Sequence, residues 1–430
     1  MAMVVKNNMS AISTLNTLNK NSSALSKSLQ KVSSGMKING AADDASGYEI
    51  SERMRVQIRG LDQANQNTQN GSSMMKVAEG AVSSTVDILK TLKEKVINAA
   101  NDTNTDADRQ TIQKELDQSI DQINDNANVT YNGKYLVDGS HNSSVKATTT
   151  SMTNQSLNTG SSFASTFTAL TDRNDNSLNI QSSDTITLSY VKEGKTNTVT
   201  AKGASSLNDI IEKVKADLVS GSDSKVIGKD VAGDTVFTAD GHSALTLVAN
   251  GTGIEKQISG ITFSVTDTKG NVKKSANALL DNFSESIRAQ NISNDNSINL
   301  QVGTKSNQAI KVGLTDMRAE ALGLQAKDGT TLNISTKEYA NAAINVLDSA
   351  VQKALDQQTT IGAVQSRLEY TSSNLTTASE NVQSSESTIR DADMAKEMTN
   401  YTKNNVLMQA AQAMLSQANQ SSSSVLSLLQ

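Results

Sequence analysis

Very few side chains in this 430-residue sequence are of the types that form metal centres or covalent intermediates. There is no cysteine, which excludes thiolate nucleophiles, disulfides, iron–sulfur clusters and cysteine-ligated zinc. The two histidines, His141 and His242, are far apart, lie among Gly, Ser and Asn, and belong to no His-Glu-x-x-His zinc motif. We therefore predict solvated loop histidines, no metal, no cofactor and no catalytic residue.

Carboxylates in close pairs could instead act as general acid and general base. Such pairs occur twice, as Asp43 with Asp44 and as Asp391 with Asp393. Both lie where a helical pattern breaks, which favours helix capping, interaction with a helix dipole or an ion pair between subunits. Three basic residues share one predicted helix and indicate a solvated face or a subunit contact rather than a phosphate site: Arg53, Arg55 and Arg59.

Charge and composition exclude several classes of protein. Lys and Arg number 39 against 44 Asp and Glu, and the net charge of −5 argues against a general nucleic-acid binder. No apolar run approaches the roughly 18 residues of a transmembrane helix, so we expect no membrane insertion. The N-terminal residues contain no apolar stretch of the kind found in a cleaved secretory signal.

The chain also lacks Pro and Trp, and only 3% of its residues are aromatic. Average composition would place about 20 prolines in a chain of this length. A sequence with so few large side chains is poorly equipped for one large core, whereas the absence of Pro permits unusually long helices. The length suggests roughly three domains.

The elements that must position these residues are helical at both ends. The pattern from about residue 10 to residue 128 is almost entirely helical. Over about three heptads near its start, apolar residues recur at alternating steps of three and four, with Ser22 as the one polar interruption: Leu15, Leu18, Leu25, Leu29, Val32 and Met36. This spacing is that of an a/d coiled-coil seam and predicts a partner helix, with a single amphipathic helix on a globular core as the alternative. The chain is helical again from about residue 339, and its last stretch carries a second apolar set: Val406, Leu407, Ala410, Met414, Val425, Leu426 and Leu429. We expect the two ends to pair as an antiparallel rod.

The middle, from about residue 131 to residue 291, is rich in Gly, Ser, Thr and Asp and predicts a small ββ-α-ββ domain near residues 183–266. Its helix is capped by Ser205 or Ser206. Strands are predicted at residues 185–191, 236–238 and 244–248, the last two joined by a hairpin turn at Asp240-Gly241. The flanking segments, near residues 143–158 and 279–296, are predicted to be linkers or irregular structure.

Several short motifs in the two helical ends occur together and in a characteristic order. The N-terminal end contains LQKVSSGMKIN (29–39), AADDASG (41–47) and NTQNG (67–71). The C-terminal end contains LQVG (300–303), DMRAEALGL (316–324), IGA (361–363), RLE (367–369), RDADMA (390–395), QANQ (417–420) and VLSLL (425–429). These motifs resemble bacterial flagellin over roughly residues 1–137 and 296–430. Four serines at residues 421–424 stand where the family often has Pro, which lets the last helix continue.

The resemblance implies a mainly α protein with a β-rich insertion. Both termini would form an elongated antiparallel coiled-coil or helical-bundle rod, and the middle a variable α+β outer domain. The implied segments are 1–43 (N-terminal coiled coil of an inner tube), 44–137 (N-terminal part of a helical outer-tube domain), 138–295 (variable surface domain), 296–384 (C-terminal part of the outer-tube domain, a hairpin then a helix) and 385–430 (C-terminal coiled coil of the inner tube).

The resemblance further implies a structural subunit that polymerises into the extracellular filament used for swimming, without enzymatic activity. Implied partners are other copies of the chain, an export chaperone on the C-terminal helix, the filament cap and the hook-associated junction proteins. Secretion would use the flagellar export apparatus without a cleaved signal peptide. The terminal seams would be disordered in the free subunit and helical in the filament.

Many flagellins are also sensed by the host receptor Toll-like receptor 5 through an outer-tube helix that matches residues 89–101 here, beginning at Leu89. Strongly sensed members carry Arg at the position of Thr91 and Leu at that of Lys95, while Glu115 matches the third key position. Loss of a bidentate donor and of an apolar contact predicts weakened sensing.

Two other readings of the sequence stay open. A hook–filament junction protein of the same superfamily shares the terminal architecture. A secreted adhesin would instead use the middle domain and would have stably folded termini. A hydrolase carried by the insertion lacks a nucleophile and a metal constellation.

Overall fold

The computed structural model describes residues 8–428, apart from the side chains of residue 422 and residues 425–428. The chain divides into two compact units, each built from separate stretches of sequence. The first unit contains Met1–Asn67, Gln301–Gln308 and Tyr370–Gln430, and the second contains Thr68–Leu300 and Ala309–Glu369. The division into five segments that the sequence suggests stays a prediction.

Helices form both ends of the described chain, as the sequence predicts. Within residues 8–428 they are α1 (Met9–Ser34), α2 (Ala45–Ala99), α3 (Asp106–Ala127), α4 (Leu207–Lys213), α5 (Lys274–Leu280), α6 (Ala319–Leu322), α7 (Lys337–Arg390) and α8 (Met394–Leu428). The two longest, α2 and α7, have 55 and 54 residues. Because no Pro removes an amide or clashes with the preceding turn, such lengths are sterically possible. Helix α8 continues through the four serines at residues 421–424, which confirms that expectation.

Local side-chain chemistry sets several helix boundaries. The hydroxyl of Thr105 accepts from the amide of Asp108 at the start of α3, and Ser206 accepts from Asp209 at the start of α4, each completing a capping box. Of the two serines proposed for α4, the cap is therefore Ser206. Helix α1 ends at Gly35, whose φ of 71° is in the left-handed region and whose amide donates to the carbonyl of Lys31 at 2.9 Å.

Strands occupy the middle of the chain and its flanks. Within the described residues they are β1 (Thr130–Tyr131), β2 (Lys134–Tyr135), β3 (Ser151–Asn154), β4 (Thr185–Lys192), β5 (Lys195–Lys202), β6 (Leu218–Ser220), β7 (Val226–Lys229), β8 (Thr235–Phe237), β9 (Leu245–Ala249), β10 (Ile258–Thr266), β11 (Phe283–Ile287), β12 (Ile298–Gln301) and β13 (Ala309–Val312). The two larger sheets have the orders β10-β4-β5 and β11-β3-β9-β6. The small sheet of β12 and β13 confirms the hairpin expected near residue 300.

One hydrophobic core joins both larger sheets to α4 and α5 inside the second unit. Phe167 is fully buried there, with its ring centroid 6.4 Å from that of Phe263, and Phe263 stacks on Phe283 at 5.5 Å. Few aromatic residues are needed, because β-branched and leucine side chains of the two sheets fill the remaining volume.

Three expectations for the middle region are wrong. Asp240-Gly241 does form a turn, with Gly241 at a φ of 70°, but β8 pairs with β7 and the chain then crosses to β9 in another sheet. The segments expected to be linkers contain the wholly buried strand β3 and the strand β11, which pair with each other. The order is consequently ββ-α followed by five strands between residues 185 and 266, rather than ββ-α-ββ. Pairing between distant strands, which local alternation does not reveal, accounts for all three differences.

Candidate assembly surfaces on the terminal helices

Helices α1 and α8 pack against each other within the first unit, in antiparallel order. The amide nitrogen Nδ2 of Asn8 donates to the carbonyl of Ala418 at 3.2 Å, and that of Asn21 donates to the carbonyl of Leu407 at 3.1 Å. Further along, Nδ2 of Asn404 donates to Oγ of Ser28 at 3.0 Å. The partner helix predicted for α1 is therefore α8 of the same chain.

The face of α1 that meets α8 is not the predicted seam but one displaced from it. Its buried and half-buried positions include a regular series at alternating steps of three and four: Ala11, Thr14, Leu18, Asn21, Leu25, Ser28 and Val32. Leu18, Leu25 and Val32 belong to both series. The displaced series alternates these apolar residues with small or polar ones, which is why a search for apolar spacing alone misses it. Asn and Ser at heptad spacing are the signal that could have found it.

The remaining apolar residues of the predicted seam lie on the open flank of α1. Leu15 is 45% exposed and Leu29 is 52% exposed, and Ile12 on the same flank is 48% exposed. Three large apolar side chains are thus exposed along one flank of α1. Met36 is half-buried beyond the end of α1.

Helix α8 also carries apolar residues that its contact with α1 leaves uncovered. Val406, Leu407 and Met414 are exposed, Met414 by 60%, and Ala410 is exposed as well. Ala411, by contrast, is buried. Of the other predicted positions, Val425 and Leu426 lie in the helix with undescribed side chains, and Leu429 lies outside the described residues.

Arg390 links two connecting segments, the one that follows α1 and the one between α7 and α8. Its side chain is 6% exposed, and Nη1 donates to Oε1 of Glu52 at 2.6 Å. Its guanidinium lies 5.5 Å from the centre of the Tyr48 ring, and Nε approaches Sδ of Met36 at 3.1 Å. The hydrogen bond from Arg390 and its charge lower the pKa of Glu52.

Main-chain hydrogen bonds join the same two connecting segments. The amide of Lys37 donates to the carbonyl of Arg390 at 2.7 Å, and the amide of Ala392 donates to the carbonyl of Gly35 at 2.9 Å. The end of α1 and the start of α8 are thereby held together by main-chain bonds that do not depend on side-chain identity. These bonds fix the point at which α1 and α8 begin to pack along each other.

One member of each carboxylate pair caps a helix, which is one of the three roles expected from the sequence. Oδ1 of Asp44 accepts from the amides of Ser46 and Gly47 at the start of α2, both at 3.1 Å, and Oδ1 of Asp393 accepts from the amide of Ala395 at 3.0 Å at the start of α8. Asp43 accepts from the amide of Asn39, and Asp391 from the hydroxyl of Ser387. Two of the three arginines pair along their own helix, Arg53 with Glu49 and Arg55 with Glu52.

Metal chemistry finds no support in the described residues. Among residues 8–428, no three His, Cys, Asp or Glu side chains are grouped so that they could hold a metal ion. His141 is half-buried, with Nδ1 at 3.2 Å from the carbonyl of Asn296, and His242 is exposed. Across the same part of the chain, every helix is too short or too polar to cross a bilayer.

The residues of the candidate receptor region occupy different environments in the second unit. Leu89 is fully buried and packs in the core, so its side chain is not part of the surface. Thr91 and Glu115 are exposed, and Lys95 is half-buried. Nζ of Lys95 lies 2.9 Å from Oε1 of Glu115, an ion pair that joins two of the key positions.

Comparison with known proteins gives a consistent family. Residues 5–142 match the bacterial flagellin N-terminal helical region, and residues 344–429 match the bacterial flagellin C-terminal helical region. A flagellin from Clostridium tyrobutyricum is 34% identical over 421 residues, covering 97% of this chain and 99% of the relative. A flagellin from Bacillus subtilis strain 168 is 30% identical over 447 residues, covering 99% and 100%.

Among solved structures, a flagellar junction protein from Legionella pneumophila aligns with 80% of this chain and 100% of its own, at 14% identity and a TM-score of 0.33. Similarity at that level supports no conclusion about fold or function. The two family models match the helical ends of this chain, and the flagellin relatives match it over nearly its full length. These matches show the family without the solved structure. This chain belongs to the bacterial flagellin family.

Proposed function

We propose that this flagellin polymerises through the open apolar flanks of α1 and α8 into an extracellular filament for swimming, and that it has no enzymatic activity. The observation that carries the proposal is the exposure of Leu15, Leu29, Val406 and Met414 on helices whose paired faces are already occupied. Residues 138–295 would then form the outer surface of the filament, and residues 1–43 and 385–430 its inner tube.

Burial of the exposed apolar side chains on these flanks would favour contact with a second copy of the chain. Full burial of one Leu or Met side chain stabilises by about 1.5–3 kcal/mol, so a few such residues per subunit supply a substantial driving force. A two-helix pair with a polar seam is marginal when isolated in water. We therefore expect the terminal helices to be largely disordered in the free subunit and to become ordered when neighbours cover them.

Hydrogen exchange tests the ordering step. Amides of residues 10–36 and 400–428 should exchange rapidly in the free subunit and become protected in the filament. Amides of the strands β4 and β10 in the second unit should be protected in both states. Full protection of the terminal segments in the free subunit would contradict the proposal.

Polymerisation assays test the surface itself. Leu15→Asp with Met414→Asp places two charges in the proposed contact and should raise the critical concentration for seeded assembly by more than about tenfold. Ser13→Asp with Gln412→Asp adds the same charge at exposed polar positions of the same helices and should change it much less. Equal critical concentrations in the two double variants would refute the proposed surface.

Electron microscopy of the purified wild-type chain separates the alternatives. Long filaments after seeding are the expected result. Assemblies that stop at short lengths would favour a hook–filament junction protein, and stable monomers with folded termini would favour an adhesin.

Before assembly, the same face of α8 would be held by an export chaperone, and the chain would leave the cell through the flagellar export apparatus without a cleaved signal. The exposed Met414 supports this role, since its flexible, polarisable side chain suits reversible binding. In the finished structure, the filament cap and the junction proteins would contact the same terminal helices at the two ends of the filament.

Weakened sensing by Toll-like receptor 5 is part of the proposal. Besides the departures at Thr91 and Lys95, the ion pair between Lys95 and Glu115 occupies the carboxylate that a receptor would need. Lys95→Leu releases Glu115 and restores an apolar side chain, and Thr91→Arg restores a donor. In a reporter-cell dose response, the double variant should be markedly more potent than the wild type. A wild type as potent as a strongly sensed flagellin would refute weakened sensing.

A further inference from the structure

A cavity of about 210 Å³ lies within the second unit, where the segment that follows β11 meets residues of α6 and α7. Its wall combines cationic, amide and apolar side chains, chiefly Arg288, Gln290, Ile292, Met317, Arg318 and Lys353. Ile292 is 78% exposed, so the cavity reaches the surface there, whereas Lys353 is buried. The volume is smaller than the roughly 300–1,000 Å³ of sites for drug-sized ligands, so the cavity suits a small molecule.

Two cations of this wall share one buried carboxylate. Nζ of Lys353 lies 3.4 Å from Oε1 of Glu285, which is longer than the about 2.7–2.9 Å of a charge-assisted hydrogen bond. Nε of Arg288 lies 3.5 Å from Oε2 of the same carboxylate. Arg288 has a second partner in Asp356, but that carboxylate is 49% exposed and screened by solvent. Lys353 is therefore a buried cation with one distant partner among the described residues.

Burial makes this shortage of negative charge costly for Lys353. Desolvation lowers the pKa of its ammonium group and the charge of Arg288 lowers it further, although Glu285 opposes both effects. An anion in the cavity would supply the missing compensation for both cations. Arg318 adds little to this demand, because both carboxylate oxygens of Asp316 accept hydrogen bonds from its guanidinium.

The rest of the wall indicates which other groups the anion carries. Oε1 of Gln290 is buried and receives no hydrogen bond from the residues that the structure describes. A buried acceptor of this kind normally has a donor, and a hydroxyl group of a ligand would supply it. Ile254, Ile292 and Met317 also line the cavity and suit a hydrocarbon body.

We propose that this cavity binds a small organic carboxylate that also carries a hydroxyl group. The carboxylate contacts Lys353 and Arg288, the hydroxyl donates to Oε1 of Gln290, and the hydrocarbon part packs against Ile292. The site goes beyond the proposed function, since it lies wholly in the second unit and does not involve the terminal helices. Its occupation stabilises the second unit, because the unfolded chain has no such cavity.

Isothermal titration calorimetry of the unassembled full-length chain tests the site, with 4-hydroxybenzoate as the probe. We expect one molecule to bind per chain with a Kd below about 1 mM, and the thermal unfolding midpoint to rise with the probe concentration. Benzoate lacks the hydroxyl group and should bind about three- to tenfold more weakly, the effect of one net hydrogen bond. The neutral 4-hydroxybenzyl alcohol should bind at least about tenfold more weakly, because it cannot compensate the two cations.

Lys353→Met removes the ammonium group, keeps a side chain of similar length and should weaken binding of 4-hydroxybenzoate by at least about tenfold. Lys337→Met makes the same change at an exposed lysine of α7 and should leave the affinity unchanged. A second pair of variants uses the exposed rim of the cavity, where folding tolerates substitution. At low ionic strength, Ile292→Glu should bind 4-hydroxybenzoate at least about threefold more weakly than Ile292→Lys, because the two charges act on the anion in opposite directions.

Absence of saturable binding to the wild-type chain at probe concentrations well above 1 mM would overturn the proposal. An affinity that is the same in wild type and Lys353→Met would overturn it as well. If Lys353→Met does not fold, equal affinities of Ile292→Glu and Ile292→Lys have the same consequence. Equal binding of 4-hydroxybenzyl alcohol would refute recognition of the carboxylate, and equal binding of benzoate would refute recognition of the hydroxyl. Polymerisation is measured separately and does not depend on any of these results.

Discussion

Helix α1 of the first unit and the core of the second unit use leucine in opposite ways. In the second unit, Leu89 is fully buried among helical neighbours and Leu188 is fully buried in the sheet core. In the first unit, Leu29 is 52% exposed on α1, although it lies one residue from the buried Ser28. The first unit thus buries a serine and exposes a leucine within a single helical turn.

This difference in leucine burial indicates which contacts stabilise each unit. The second unit contains a buried hydrophobic core of its own, so we expect it to fold without a partner. The terminal helices of the first unit meet through a face of mixed apolar and polar residues and leave further large apolar side chains exposed.

Leu89→Ala should lower the free energy of unfolding of the unassembled chain by about 3–5 kcal/mol, because it leaves a cavity at a fully buried position. Denaturant unfolding of the monomer measures it. Ile97→Ala, at an exposed position of the same helix, is the control and should change the stability by less than about 1 kcal/mol. A loss below about 1 kcal/mol for Leu89→Ala would show that this unit does not complete its own core.

Asp281→Asn should change the pH dependence of the second unit. Burial raises the pKa of Asp281 from 3.8 to about 6, although the amide of Phe263 and Nδ2 of Asn345 donate to its carboxylate. Since the folded state binds the proton more tightly, this group favours folding below pH 4 and that advantage is lost as pH rises from about 4 to 6. The variant should remove a loss of about 2 kcal/mol across that range.

Urea unfolding of both proteins between pH 4 and 7 measures this effect. Asp295→Asn serves as the control, because Lys311 lowers the pKa of that exposed carboxylate to about 2 and so moves its titration below the range. A decline of equal size in wild type and Asp281→Asn would refute the assignment.

Ser206→Ala should cost about 1 kcal/mol, because it removes the acceptor for the amide of Asp209 at the start of α4. Ser205→Ala, one residue earlier and outside the capping box, should be close to neutral. Thermal unfolding of the monomer compares them. Equal losses would place the cap elsewhere.

Leu29→Ala should change the stability of the monomer by no more than about 0.5 kcal/mol, since the side chain is already half in solvent. The same variant should raise the critical concentration for assembly several-fold, because the filament loses the contact that the monomer never made. A monomer destabilised as strongly as Leu89→Ala would remove the distinction between the two units.

Local patterns in the sequence predicted the helices well. The absence of Pro indicated unusually long helices, and Ser and Asp at helix starts indicated the caps that Ser206 and Asp393 provide. These features depend on residues within a few positions of each other. The seam was located only in part, because apolar spacing cannot distinguish the face that meets α8 from the adjacent open flank.

Pairing between strands that are distant in sequence could not be predicted from such local patterns. Strand β3 pairs with β9 and β11, more than 90 and 125 residues away, although its flanks resemble a linker. The buried position of Leu89 was likewise not evident from the family motif that suggested a surface role. Both depend on which elements meet in space, and a single sequence carries little information about that.

The antiparallel pairing of α1 with α8 also has a kinetic meaning. Asn21 and Leu407 are 386 positions apart in sequence, and Ser28 and Asn404 are 376 apart. Contacts between residues so far apart in sequence close a loop that contains almost the whole chain. The entropy cost of closing this loop becomes small enough only after the intervening residues have folded and shortened it. The terminal helices are therefore the last part of the subunit to form and, by the same argument, the first to open.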